Sequence, residues 1–125
     1  MQDSGQMSGM GAIVLVVDDD DDVRAIAVEA LTERGFEVLE AADGQSALVM
    51  IEQHPDIELV VTDVVMPGIS GLHVARGAKR HAKKVVMTSA YSSALVDAAM
   101  PADTFLAKPY RLGELQKAVG RLLAD

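Results

Sequence analysis

Five short apolar runs alternating with helical patterns predict an α/β fold: a five-stranded parallel sheet, doubly wound between helices as a three-layer sandwich. Three observations lead there. The apolar runs at residues 13–17, 37–40, 59–62, 85–88 and 104–107 are each followed by a stretch of helical period. The first, third and fourth are nearly continuous in Val, Ile, Leu and Met, as central strands covered on both faces must be. Polar residues then stand directly at the strand ends: Asp18-Asp19, Asp63, Ser89 and Lys108.

In chain order, the first strand leads into Val23, Ile26, Ala27, Ala30 and Leu31, spaced at i, i+3, i+4, i+7 and i+8 as one buried stripe of a helix that Gly35 ends. After the second strand, Asp43 suits an N-cap for a helix through Ala47, Leu48 and Ile51, stopped before Pro55. The third helix, at 72–81, is shorter and more basic. A weak apolar pattern over 92–100 predicts a fourth, and Leu112, Leu115, Val119 and Leu122 mark one face of the last. Right-handed crossovers make such a chain doubly wound, and sheets of this kind bind ligands beyond the carboxyl ends of their strands.

The 125 residues, half of them hydrophobic, suffice for one core without metal or disulfide staples. Residues 1–11 read as a flexible leader and 12–125 as the domain. Nineteen acidic against eleven basic residues give a formal charge of -8, which disfavours direct nucleic-acid binding and favours cations. Cysteine is absent, which excludes thiolate chemistry. No apolar stretch approaches the roughly 20 residues needed to cross a bilayer, so no membrane association is expected and the cytoplasm is the expected location.

Three carboxylates, from Asp18, Asp19 and Asp63, would repel one another at the strand ends unless a cation sat among them. A hard divalent ion such as Mg²⁺ suits that oxygen set. Lys108 adds a positive donor and Ser89 a neutral hydroxyl, the complement that phosphoryl transfer requires. Asp63 is the best nucleophile candidate, since an aspartate carboxylate can accept a phosphoryl group covalently.

The segments Val16-Val17-Asp18-Asp19-Asp20, Thr62-Asp63-Val64-Val65-Met66-Pro67-Gly68, Ser89-Ala90 and Lys108-Pro109 occur in order on the predicted strands. Over residues 12–124 the chain resembles the receiver domains of two-component response regulators. The resemblance implies a flavodoxin-like, CheY-like fold with strand order 2-1-3-4-5. It implies that Asp63 is the phosphoacceptor, that Asp18, Asp19, Asp63 and the Val65 carbonyl hold Mg²⁺ (with Mn²⁺ as a substitute), and that Lys108 pairs with the phosphoryl group. Ser89 matches the switch hydroxyl and Phe105 the aromatic that turns with it, while Lys108-Pro109 is expected to be cis. The implied function is a phosphorelay switch, not an enzyme beyond self-catalysed phosphoryl transfer and slow autodephosphorylation. Implied partners are a histidine kinase or histidine phosphotransfer protein and a downstream target or output domain, with a homodimer on phosphorylation as a further possibility.

The intervals from Asp63 to Ser89 and from Ser89 to Lys108 are shorter than is usual in the family, so truncated third and fourth helices are expected. Thr88 competes with Ser89 for the switch position, and the following Ala90 favours Ser89. Tyr91 lies where the family tunes dephosphorylation. His54, His73 and His81 share no spacing with the carboxylates and read as exposed, and Arg76, Lys79, Arg80, Lys83 and Lys84 read as a solvated helix face. A flavodoxin-like electron carrier would need a Gly, Ser and Thr phosphate loop where residues 18–22 are all aspartate. A haloacid-dehalogenase-like phosphatase would need an acidic residue two positions after the nucleophile, where Val65 stands. A stand-alone regulator and a receiver cut from a hybrid histidine kinase or a transcription factor both remain open.

Overall fold

The computed structural model describes residues 11–90 and 101–124. The elements run β1 (Ile13–Val17), α1 (Asp21–Glu33), β2 (Glu37–Ala41), α2 (Gly44–Gln53), β3 (Ile57–Asp63), α3 (Gly71–Arg80), β4 (Lys84–Ser89), β5 (Thr104–Ala107) and α4 (Leu112–Leu123). All strand pairings are parallel, in the order β2-β1-β3-β4-β5, as the resemblance implies. The expected helix at 92–100 and Tyr91 lie outside the described residues.

Period-two alternation along the strands divides the core into two layers. Leu15, Val17, Val60, Val85 and Met87 point to one face and pack against Ala47 and Ile51 of α2 and Val74, Ala75 and Ala78 of α3. Val14, Val16, Leu59, Val61 and Val86 point to the other and pack against Ala27 and Leu31 of α1 and Leu115, Ala118 and Val119 of α4. The nearly continuous apolar runs are therefore the central strands β1, β3 and β4.

Local chemistry sets the helix ends. Asp43 caps α2 by accepting the Ser46 N–H at 2.8 Å. After α1, Gly35 takes φ 92°, its N–H donates to the Thr32 carbonyl and the Phe36 N–H to the Leu31 carbonyl, closing a Schellman motif over buried Phe36.

Two expectations are corrected. Ile26, placed on the buried stripe of α1, is 49% exposed. The buried line of α1 runs through Ala27, Ala30 and Leu31, and Ile26 stands about 100° round the helix from Ala27, on its flank. Lys83 and Lys84 do not belong to a solvated helix face, because α3 ends at Arg80 and the exposed Lys84 opens β4. Lys83 is buried and donates from Nζ to the Pro55 carbonyl, tying the corner before β4 to the corner before β3. His54, His73 and His81 are exposed.

Candidate functional site

The strand registers bring together groups distant in sequence. Val17 pairs with Thr62, so Asp18, one residue past β1, stands beside Asp63 at the end of β3. Asp63 pairs with Thr88, and Ser89 with Ala107, which carries Lys108 to the same end of the sheet. Lys108 Nζ donates to Asp18 Oδ2 at 2.9 Å and to Asp63 Oδ2 at 3.1 Å. Carboxylate oxygens of Asp18, Asp19 and Asp63 all lie within 4.8 Å of one another.

Asp18 and Asp63 are buried and Asp19 is exposed. Burial pushes the Asp63 carboxyl above the usual carboxylate value; Lys108 pulls it down through its hydrogen bond and charge, and the Asp18 charge adds to the rise. Burial also works against the Lys108 ammonium, but its hydrogen bonds to Asp18 and Asp63 and their charges outweigh it and hold the pKa above the ordinary lysine value. Three carboxylates against one ammonium leave two negative charges in the cluster, a deficit that one divalent cation cancels. The donor set is all oxygen, clustered and at a solvent edge, which fits a hard ion such as Mg²⁺.

The acid loop is tightly bonded. Asp18 Oδ1 accepts the Asp20 N–H at 2.9 Å, and Asp20 Oδ1 accepts the N–H groups of Asp22 and Val23 at 3.0 and 3.1 Å, capping α1. Asp21 and Asp22 then occupy the first helical turn, where the dipole favours negative charge. Asp20 to Asp22 thus serve the helix start, and Asp18 and Asp19 serve the cluster.

On the opposite side, the loop after Asp63 depends on close backbone approach. A Cβ on Gly71 would collide with the Asp63 carbonyl oxygen, and one on Gly44 with the Ile69 carbonyl oxygen. The Gly71 N–H donates to the Val64 carbonyl and the Val64 N–H to the Thr88 carbonyl, both at 2.9 Å. Val65 turns its side chain to solvent, 53% exposed, while its N–H bonds the Asp63 carboxylate. Thr88 and Ser89 are both buried at the end of β4, and the Lys108 N–H donates to the Ser89 carbonyl at 2.7 Å. Phe105, opposite Met87 in the register, is half-buried against the layer that holds α2 and α3. The Lys108-Pro109 peptide is cis.

Beside the cluster runs an apolar groove of about 370 Å³, lined by Val23, Ile26, Lys108, Pro109, Tyr110 and Leu112. Ile26 and Leu112 expose 49% and 43% of their surface there.

The sequence reading missed Arg24 and Gly44. Arg24 donates to the Asp18 carbonyl and to the carboxylates of Asp21 and Glu40. Its signal in the sequence is a cation in the first turn of a helix, where the dipole opposes it. Gly44 carried no readable signal, because its need arises from a loop that follows in sequence by twenty-five residues, at Ile69.

The response regulator receiver domain family matches residues 14–120. The sensor kinase CckA of Brucella abortus is 39% identical over 118 residues, which is 90% of this chain and 12% of that protein. The receiver domain of the hybrid histidine kinase CckA superposes with a TM-score of 0.77 at 37% identity, over 89% of this chain and 98% of that one. The response regulator TrrA of Thermotoga maritima, solved in complex with Mg²⁺ and BeF, gives 0.80 at 36% identity over 89% and 98%. The chain spans about half the length of the curated transcriptional regulators that it also matches. Among the described residues no helix is long and apolar enough to cross a membrane. With its family match over most of the chain, its parallel 2-1-3-4-5 sheet and its strand-end acid cluster, the chain belongs to the response regulator receiver domains of two-component systems.

Proposed function

We propose that the chain is a phosphorylation switch in which Asp63 accepts a phosphoryl group from a histidine kinase or a histidine phosphotransfer protein. The observation that carries this reading is the Lys108 ammonium shared between Asp18 and Asp63 at the edge of a three-carboxylate cluster. Asp18, Asp19, Asp63 and the Val65 carbonyl would hold Mg²⁺, with Mn²⁺ able to substitute. When bound, the ion would supply positive charge to balance the phosphoryl oxygens.

An Asp63 carboxylate oxygen forms the new P–O bond while the P–N bond to the donor imidazole breaks, and the imidazole leaves with that electron pair. Lys108 gives up its contact with Asp63 Oδ2 and pairs with a phosphoryl oxygen, remaining held by Asp18. The Ser89 hydroxyl donates to another phosphoryl oxygen, drawing in the end of β4, and Phe105 follows it inward. The product is an acyl phosphate that water slowly removes, so the domain works as a signalling switch in the cytoplasm and not as a turnover enzyme. Its output passes to a downstream protein or a tethered domain, with dimerisation on phosphorylation as one route.

Resemblance to the CckA kinase and its receiver favours a second reading, a phosphorelay intermediate within a hybrid kinase. In both readings the donor would seat on the apolar groove beside Lys108, where Ile26 and Leu112 are exposed.

Borohydride trapping tests the acceptor assignment. After incubation with acetyl phosphate and Mg²⁺, reduction of an acyl phosphate would convert residue 63 to homoserine, located by peptide mass spectrometry. Homoserine at 63 supports the proposal; a phosphoryl group that survives borohydride on a serine, threonine or histidine contradicts it.

A further inference from the structure

Arg24 occupies the first turn of α1, where the helix dipole disfavours a cation, yet its side chain is only 15% exposed. Three of its nitrogens are engaged. Nη1 donates to the Asp18 carbonyl oxygen at 2.7 Å, Nη2 to Asp21 Oδ1 at 2.6 Å and Nε to Glu40 Oε1 at 3.1 Å. The guanidinium thus straps β2 and the start of α1 together across the backbone of Asp18. Exposed ion pairs contribute little to stability, but a planar fork aimed at three separate acceptors fixes geometry, and a lysine ammonium cannot reproduce it.

We infer that Arg24 is a positioning residue of the acid loop. Anchored by Glu40, it holds the Asp18-Asp19 backbone so that both carboxylates reach Asp63, and it thereby sets the affinity of the cluster for a divalent cation. The inference rests on the reading of that cluster as a Mg²⁺ site. Charge and geometry make opposite demands on the same residue. A bystander cation would repel Mg²⁺, so its neutral replacement would tighten binding. A positioning residue gives the reverse, since loss of its contacts lets the ligands drift.

Calorimetric titration of the metal-free chain with MgCl₂ distinguishes the two, run beside thermal unfolding in EDTA. Arg24→Lys, which keeps the charge and loses the fork, is expected to weaken Mg²⁺ binding on the order of 10-fold with an unfolding midpoint in EDTA close to that of the unsubstituted chain. Arg24→Gln is expected to weaken it as well, despite removing a positive charge. Unchanged affinity in Arg24→Lys, or tighter binding in Arg24→Gln, overturns the inference. Should either variant fail to fold, Glu40→Gln at its exposed edge-strand position removes the anchor's charge and is expected to give a smaller loss in the same direction; full affinity there overturns the inference too. No binding by the unsubstituted chain would instead strike the Mg²⁺ reading itself and take this inference with it.

Discussion

Asp63 carries its charge at a cost to folding, because burial and the neighbouring Asp18 oppose ionisation more than Lys108 favours it. Its folded pKa lies above the ordinary value of 3.8, so the penalty is present above the folded pKa and absent below 3.8. Asp63→Asn should therefore raise the unfolding midpoint of the metal-free chain at neutral pH, and the gain should vanish below pH 3.8. A gain that persists into acid would assign it to packing instead. Asp103 has the opposite sign. Burial raises its carboxyl, but the Lys79 ammonium, the Val85 N–H bond at 2.8 Å and the Lys84 charge bring it below 3.8. Its contribution to stability is present above 3.8 and lost as pH falls through the lower folded pKa. Acid unfolding followed by circular dichroism should accordingly show a smaller loss of stability below pH 3.8 in Asp103→Asn than in the unsubstituted chain. The site aspartates were legible in the sequence because the Asp18-Asp19 pair and Asp63 stand at the ends of apolar runs. Arg24 was not, because its partners, the Asp18 carbonyl and Glu40, come together only when β2 lies beside β1.

The start of α3 is pressed against the end of β3. With no room for a Cβ beside the Asp63 carbonyl, Gly71→Ala should cost roughly 3 kcal/mol by overpacking, measured by urea unfolding, and a loss near zero would mean that the loop yields freely. The flank of α1 makes a separate prediction. If Ile26 helps to seat the phosphodonor, Ile26→Asp should slow transfer from a phosphorylated histidine phosphotransfer protein about tenfold, the effect of losing one interface anchor worth about 1.4 kcal/mol. Labelling by acetyl phosphate, which needs no docking surface, should be unaffected; equal losses from both donors would point to damage at the site itself. The strands were readable from their continuous Val, Ile and Leu, and α1 from its period. That period gives a stripe wider than the buried line, so it could not tell Ile26 on the flank from Ala27 at the centre. Lys83 was misread because sequence composition does not reveal that α3 stops at Arg80, leaving the next cation to turn inward onto Pro55.

Two apolar layers clamp a sheet whose central strands leave no polar group inside except at their ends, and those ends hold the chemistry. The element order and the location of the site followed from the alternation of apolar runs and helical period. The strand order came from family resemblance, since alternation alone does not fix which strand neighbours which. The same architecture gathers three carboxylates at one edge; in the proposed reading a divalent cation relieves their repulsion and Asp63 acts as the nucleophile. Intact-mass spectrometry of the native chain and of Asp63→Asn, after incubation with acetyl phosphate with and without Mg²⁺, tests that claim most directly. One phosphoryl adduct is expected on the native chain, formed only with Mg²⁺ and absent from Asp63→Asn; an adduct that forms without the metal, or that survives in Asp63→Asn, would refute the metal-dependent role of Asp63.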